Sequence, residues 1–196
     1  MTSLQDRILD AALPDIAFDG WTDSVLERAA QKAGLHKADV SRAFPSGVFE
    51  ALEYFTQRGD ARMSESLKRD YNLASMKVRE RITTCVLVRL KQNLPYREAI
   101  RRGVAVYALP WHAAAGLRAL YRTMDEMWHL SGDTATDWNH YSKRIILSKV
   151  YMSTLYVWLS DDSPNLAETE AFLRRRIDNV MQFEKFKAKV KSWRAA

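Results

Sequence analysis

The chain has 196 residues, with 7 Gly, 5 Pro, one Cys and a formal net charge of +6. That length gives one domain, at most two, with a full core that needs neither disulfides nor metal, and a lone Cys excludes an internal disulfide and suits a reducing compartment. No window approaches 18 uncharged apolar residues and the N-terminus has no signal-peptide core, so neither a bilayer span nor secretion is expected, while few breakers among many Ala, Leu, Arg and Glu favour an all-α fold.

Leu4, Ile8, Leu9, Ala12 and Leu13 mark a first amphipathic helix, expected to stop near Pro14. Thr22 or Ser24 can cap a second helix ending at Gly34. A short third helix covers His36–Ala43 and breaks at Pro45-Ser46-Gly47. Helix, glycine corner, short helix is a helix-turn-helix order. A fourth helix starts near Ser46 and carries Val48, Phe49, Leu52, Tyr54, Phe55 and Met63. A fifth runs about Leu73–Leu94, closed by Pro95, and a sixth Tyr96–Leu109, stopped by Pro110. Cys85 lies in the apolar run VRERITTCVLVRL and reads as a buried structural thiol.

The seventh helix carries Leu117, Leu120, Tyr121, Met124, Met127 and Trp128 at i, i+3, i+4 spacing, with Gly132 just past its end. The eighth is the most apolar segment. Within Val150–Leu159 only Ser153 and Thr154 are polar, and an exposed helix would need a polar face. It is therefore expected either in the middle of its domain or lining something greasy. Met124, Met127, Trp128, Met152, Leu155, Tyr156 and Leu159 are candidates to line one apolar space between helices seven and eight, plain core being the competing reading. After a turn at Ser160–Pro164, a ninth helix carries Phe172, Leu173, Ile177, Val180 and Met181.

The end of the chain differs. Residues 183–196 hold Lys185, Lys187, Lys189, Lys191 and Arg194 against Glu184, a net of +4. Phe183, Phe186, Val190 and Trp193 fall within an arc of about 80°, rotated by well over about 90° from the stripe of Leu173, Ile177 and Val180. One straight helix cannot turn both stripes to one core, so a break near Gln182 and a separate amphipathic helix are expected. Apolar stripe plus lysines is the pattern of a helix lying on an anionic membrane, and packing on the domain itself or on a dimer partner is the alternative.

Two other constellations weigh less. Over 22–46, Arg28, Lys32, Lys37 and Arg42 face Asp23, Glu27 and Asp39, a net of only +1, so the helix-turn-helix reads as a scaffold rather than a DNA reader. Glu126-x-x-His129 and Asp137-x-x-His140 each pair a carboxylate with His at di-iron spacing. They stand only 11 residues apart, and two further inward Glu are not evident, so no metal site is assigned. There is no P-loop, G-x-G-x-x-G or G-x-S-x-G, and no catalytic residue or cofactor is assigned.

Five blocks then carry a resemblance: ILDAALPDIAFDGWT at 8–22, AFPSG at 43–47, ALP at 108–110, MWHLSGDTATDWNHYSKR at 127–144 and LSDDS at 159–163. Together they resemble the ubiquinone-biosynthesis accessory family, that of the ninth Coq protein, along nearly the whole chain. The resemblance implies a TetR-regulator-like fold, with a helix-turn-helix subdomain at 1–60, a lipid-binding subdomain at 61–182 and the basic helix at 183–196. It implies a non-enzymatic protein that holds isoprenoid lipids or quinone precursors, associates with the di-iron demethoxyubiquinone hydroxylase, touches the membrane peripherally and forms a homodimer. The family's partner-facing patch falls on Met127, Asp133, Asp137, His140 and Tyr141. His140 stands where the family usually has Trp, a typical hot-spot residue, and the tail here is shorter and richer in Lys. The expected place is the cytoplasmic face of a bacterial inner membrane, or the matrix side in a mitochondrion. A TetR-type DNA-binding regulator and a di-iron oxidase are the alternatives.

Overall fold

A computed structural model describes the backbone of residues 3–134, 136 and 138–195, and the side chains of these except 138 and 183–195. Its helices are α1 (Leu4–Asp19), α2 (Asp23–Lys32), α3 (Lys37–Ala43), α4 (Val48–Asp70), α5 (Val78–Gln92), α6 (Arg97–Tyr107), α7 (Ala113–Leu130), α8 (Trp138–Trp158) and α9 (Ala167–Ala195). The described residues contain no strand, so the chain is all-α as its composition predicts.

Three boundaries differ from expectation. α1 does not stop at Pro14 but runs on to Asp19, where Gly20 ends it with φ 81°. An interior proline costs about 3 kcal/mol. Ile16, one residue past the next turn's start, has no exposed area, and burying such a side chain contributes about 1.5–3 kcal/mol. Leu13 adds to this, and the helix persists. α5 begins only at Val78, because Leu73–Ser75 forms a separate 3₁₀ turn. α9 has no break at Gln182: its backbone is helical from Ala167 to Ala195. The expected interruption assumed that both apolar stripes must meet one core. A continuous helix is possible when the second stripe meets something else.

By internal contacts the chain forms two units. The first is Met1–Arg62 with Gln92–Leu120, and the second is Met63–Lys91 with Tyr121–Ala196. Residues 92–120 thus group with the helix-turn-helix. The reason is local. Trp21 Nε1 donates to the Ala99 carbonyl of α6 at 2.9 Å. A Cβ on Gly103 would lie 2.9 Å from Leu52 Cδ1, so any larger residue there would push the Leu52 side chain aside or move α6 outward.

In the first unit α1, α2, α3 and the start of α4 enclose Ile8, Leu9, Val25, Leu26, Phe44 and Leu52. Thr22 caps α2 by accepting from Val25 N. Gly47, at φ 71°, leaves room for Asp23, whose Oδ1 accepts from Val48 N at 2.7 Å and caps α4. In the second unit the fully buried side chains include Met63, Leu67, Leu90, Met124, Met127, Trp158 and Leu173, and α8 lies against α9. Cys85 is buried as read, and burial pushes its thiol up to about 11.

Asp161 fixes the turn into α9. Its carboxylate accepts from Ser163 N and Thr169 N, each at 2.8 Å, and from both hydroxyls. Burial opposes the charge, but these bonds win and hold the carboxyl down at about 2.

Candidate functional site

The corner between α7 and α8 is held by charge. α7 ends with Gly132 at φ 82°, and Asp133 N donates back to the Trp128 carbonyl at 3.0 Å. Arg81 of α5 steadies the same end by donating to the Ser131 carbonyl at 2.9 Å. Asp133 then turns inward. Its side chain is only 5% exposed, that of Arg144 only 3%, and Arg144 donates to Asp133 Oδ2 at 2.9 Å. The same guanidinium donates to Asp125 at 2.7 Å and to the His140 carbonyl at 2.9 Å. Lys143 reaches Asp133 Oδ1 at 2.5 Å and also lies 5.4 Å above the Trp128 ring. Burial works against the Arg144 charge, yet the hydrogen bonds from Asp133 and Asp125 raise its pKa. Arg144 thus ties the last turns of α7, the corner and the first turns of α8 into one piece.

From that corner α8 presents an apolar face outward. Tyr141, Ile145, Met152 and Tyr156 are all exposed, Tyr156 by 79%. They recur at spacings of four, seven and four, so they share one side of the helix over about 22 Å. The opposite side buries Leu147, Val150, Tyr151, Thr154 and Trp158. The absence of a polar face therefore does not put α8 in the middle of its unit. The helix has two apolar faces, one turned to the core and one to solvent.

The predicted site residues divide accordingly. Met124 and Met127 have no exposed area and Leu155 is buried, whereas Trp128 and Leu159 are half-buried and Met152 and Tyr156 face out. The indole N–H of Trp128 is buried without a hydrogen-bond partner. Of the partner patch, Tyr141 is exposed, His140 is half-buried with its ring 5.2 Å from Tyr141, Asp133 is engaged in the ion pairs and Met127 is in the core. Asp137 lies outside the described residues, as do the side chains of Phe183, Lys185, Phe186, Lys187, Lys189, Val190, Lys191 and Trp193. Among the described residues, no three His, Cys, Asp or Glu come together as a metal site would need; His140 Nε2 instead lies 3.8 Å from Asp125.

Sequence reading missed Asp125, Arg144 and Ile145. Arg144 was visible only as a charge interrupting an apolar helix. A lone Arg in such a helix, with Asp125 and Asp133 shortly before it, was the available signal of a buried pair.

On the helix-turn-helix, Lys37 lies 2.9 Å from Glu27 and Arg42 lies 3.2 Å from Asp39. The cations that a reader helix would offer to phosphates are already paired.

Residues 113–184, which span α7, the corner, α8 and most of α9, match the COQ9 family. The chain is 33% identical over 195 residues to the ubiquinone biosynthesis protein COQ9, mitochondrial, of Rattus norvegicus, covering 96% of this chain and 62% of that protein. It is 32% identical to the Homo sapiens protein of the same name, covering 96% and 61%, and 26% identical to that of Schizosaccharomyces pombe, covering 95% and 73%. It thus spans about 62% of the length of the rat relative. Among solved structures it is similar to the TetR transcriptional regulator from Nitrosomonas europaea, with a TM-score of 0.73 and 19% identity, over 89% of this chain and 95% of that one. These comparisons agree with the resemblance carried by the five sequence blocks: the chain is similar to the COQ9 proteins over most of its length and has a TetR-like fold.

Proposed function

We propose that this protein serves ubiquinone biosynthesis as a non-catalytic accessory. It binds an isoprenoid lipid or quinone precursor and presents it to the demethoxyubiquinone hydroxylase at a membrane surface. The observation that carries the reading is the outward apolar face of α8. It starts at the Asp133–Arg144 corner, lies wholly within the stretch that matches the COQ9 family, and carries Tyr141, Ile145, Met152 and Tyr156, with the exposed Lys149 among them. A polyprenyl tail gains about 0.8 kcal/mol per buried CH₂, so its passage through water is prohibitive and a carrier with apolar surface lowers that barrier.

In this reading Tyr141 and Ile145 are the partner contact. His140 supplies a smaller surface than the tryptophan usual in the family, so the contact is weaker. The ligand sits against the α7–α8 side, where the unpartnered Trp128 N–H offers a donor to a quinone oxygen. Residues 183–195 continue α9 as an amphipathic basic segment and rest on the bilayer, which gives the second stripe a partner other than the core. The protein is a homodimer and does not bind DNA. No helix among the described residues is long and apolar enough to cross a membrane, which fits a peripheral attachment.

The test is direct. Lipids extracted from freshly purified protein are identified by mass spectrometry, and binding to the hydroxylase is measured for the native chain and for Y141A. Co-purified isoprenoid or quinone, with affinity for the hydroxylase reduced at least tenfold by Y141A, about 1.4 kcal/mol, is the expected result. No lipid and no hydroxylase binding would overturn the proposal. Salt-sensitive, sequence-selective retention of the chain's own upstream DNA would replace it with a regulator.

A further inference from the structure

The turn between α6 and α7, in the first unit, holds an indole away from the protein. His112 N donates to the Leu109 carbonyl at 2.9 Å. This closes a β-turn over Leu109-Pro110-Trp111-His112, with proline at its second position and tryptophan at its third. Both flanks are pinned. The His112 ring stacks on Phe49 with centroids 4.2 Å apart and planes 12° from parallel. Gly116 lets α7 approach α6 so closely that a Cβ there would lie 2.8 Å from Tyr107 Cβ. At the tip Trp111 is 73% exposed, and Leu117, in the second turn of α7, is 67% exposed; Leu109 is exposed as well.

Between Glu98 and Asp125 the chain has no carboxylate and four arginines; Arg101 is paired with Glu98 at 3.0 Å, and Arg118 is an exposed member of this unit. Water is a poor solvent for an indole and two leucyl side chains, and an anionic partner is called for by Arg118. An indole with an apolar body and one N–H, accompanied by a cation, suits the headgroup level of a bilayer. Because the turn is already fixed, little conformational freedom is lost when it inserts.

We propose that this turn is a membrane-insertion point. Trp111, Leu109 and Leu117 enter the interface of an anionic bilayer, and Arg118 meets its headgroups. The inference does not depend on the ligand, on the hydroxylase or on residues 183–195.

Cys85 makes the test clean, because the only native thiol is buried and its pKa is raised to about 11. In the full chain, Trp111→Cys therefore accepts a maleimide carrying an environment-sensitive fluorophore at one position, and Gln57→Cys serves as an exposed control in the same unit. Vesicles of phosphatidylcholine, with and without about one third phosphatidylglycerol, are the probe. The expected result is a blue shift and quenching by nitroxide lipid for the label at 111, with anionic vesicles only, and neither for the label at 57. The double variant W111S/L117S, checked for native helicity by circular dichroism, should lose at least about fivefold in vesicle affinity. A label at 111 that stays water-like on sedimented, vesicle-bound protein would overturn the proposal and leave attachment to the tail. So would absence of vesicle binding altogether, or unchanged affinity of the double variant. Capture of an acidic protein by the native chain, with no blue shift on vesicles, would reassign the turn to a protein contact.

Discussion

Replacing Asp133 or Arg144 should show how much the α7–α8 corner depends on its buried ions. Both side chains are almost fully enclosed, and Arg144 also holds Asp125, which is half exposed. Arg144→Met takes the guanidinium away from the buried Asp133 carboxylate and leaves Lys143, whose side chain is 37% exposed, beside it. Removing one partner of a buried pair costs about 3–5 kcal/mol, and the surviving lysine puts this case at the lower end, about 3. Asp133→Asn is milder. The Arg144 charge keeps Asp125 and the His140 carbonyl, so about 2 kcal/mol is expected. The double variant D133N/R144M should lose less than the two single losses added, by about 1–2 kcal/mol, because no lone charge is left buried. Urea unfolding followed by tryptophan fluorescence gives the midpoints. For a chain of this length each kcal/mol corresponds to about 2–4 °C in Tm, so R144M should melt about 6–12 °C lower. A loss under about 0.5 kcal/mol for R144M, or strict additivity in the cycle, would refute the argument that these ions act as one buried unit.

Two further outcomes follow from single groups. Asp161 is depressed in the folded chain to about 2 from 3.8, so its contribution is fully present above about pH 4 and is lost as pH falls towards 2. It amounts to about 2 kcal/mol, and D161N should flatten that part of the acid dependence of the urea midpoint. Trp128→Phe removes a buried donor that has no partner, so stability should hold or rise slightly. If the proposed ligand oxygen takes that N–H, affinity for a short-chain quinone should fall about five- to tenfold. Affinity for an all-hydrocarbon isoprenoid should not change, and equal losses for both ligands would remove Trp128 from the oxygen's side.

Local chemistry made most of the fold legible. The cap at Thr22, the glycine corners at Gly34 and Gly132 and the prolines between later helices are short-range signals, and each acts where it stands. Pro14 misled because a local cost was outweighed by the burial of Ile16, which depends on distant residues. The site was less legible for a related reason. Periodicity placed Met124, Met127, Met152, Leu155, Tyr156 and Leu159 on apolar faces, but a helix with two such faces looks the same in sequence as one buried all round. Only coordinates separate Trp158, fully buried, from Tyr156, almost fully exposed two residues earlier. The ion pairs escaped because Asp125, Asp133 and Arg144 look like three ordinary surface charges until α7 turns into α8.

The two-faced α8 and the unbroken α9 raise one physical question. An exposed stripe such as Ile145, Met152 and Tyr156 gives nothing to the stability of an isolated chain and invites association. Inside, Arg144 fixes this helix against α7 by a costly buried pair where an apolar residue would serve stability as well. Both features make sense together if what matters is the placement of the outer face. The ions set the axial position and rotation of α8 at its first turns, and the apolar face is then carried rigidly from Tyr141 to Tyr156. On this view a change that loosens the corner should weaken partner binding more than its effect on unfolding accounts for. Asp133→Asn, mild in stability and remote from direct contact, is the variant in which the two effects separate. Hydroxylase affinity that follows stability alone across D133N and R144M would mean that the corner merely holds the fold together.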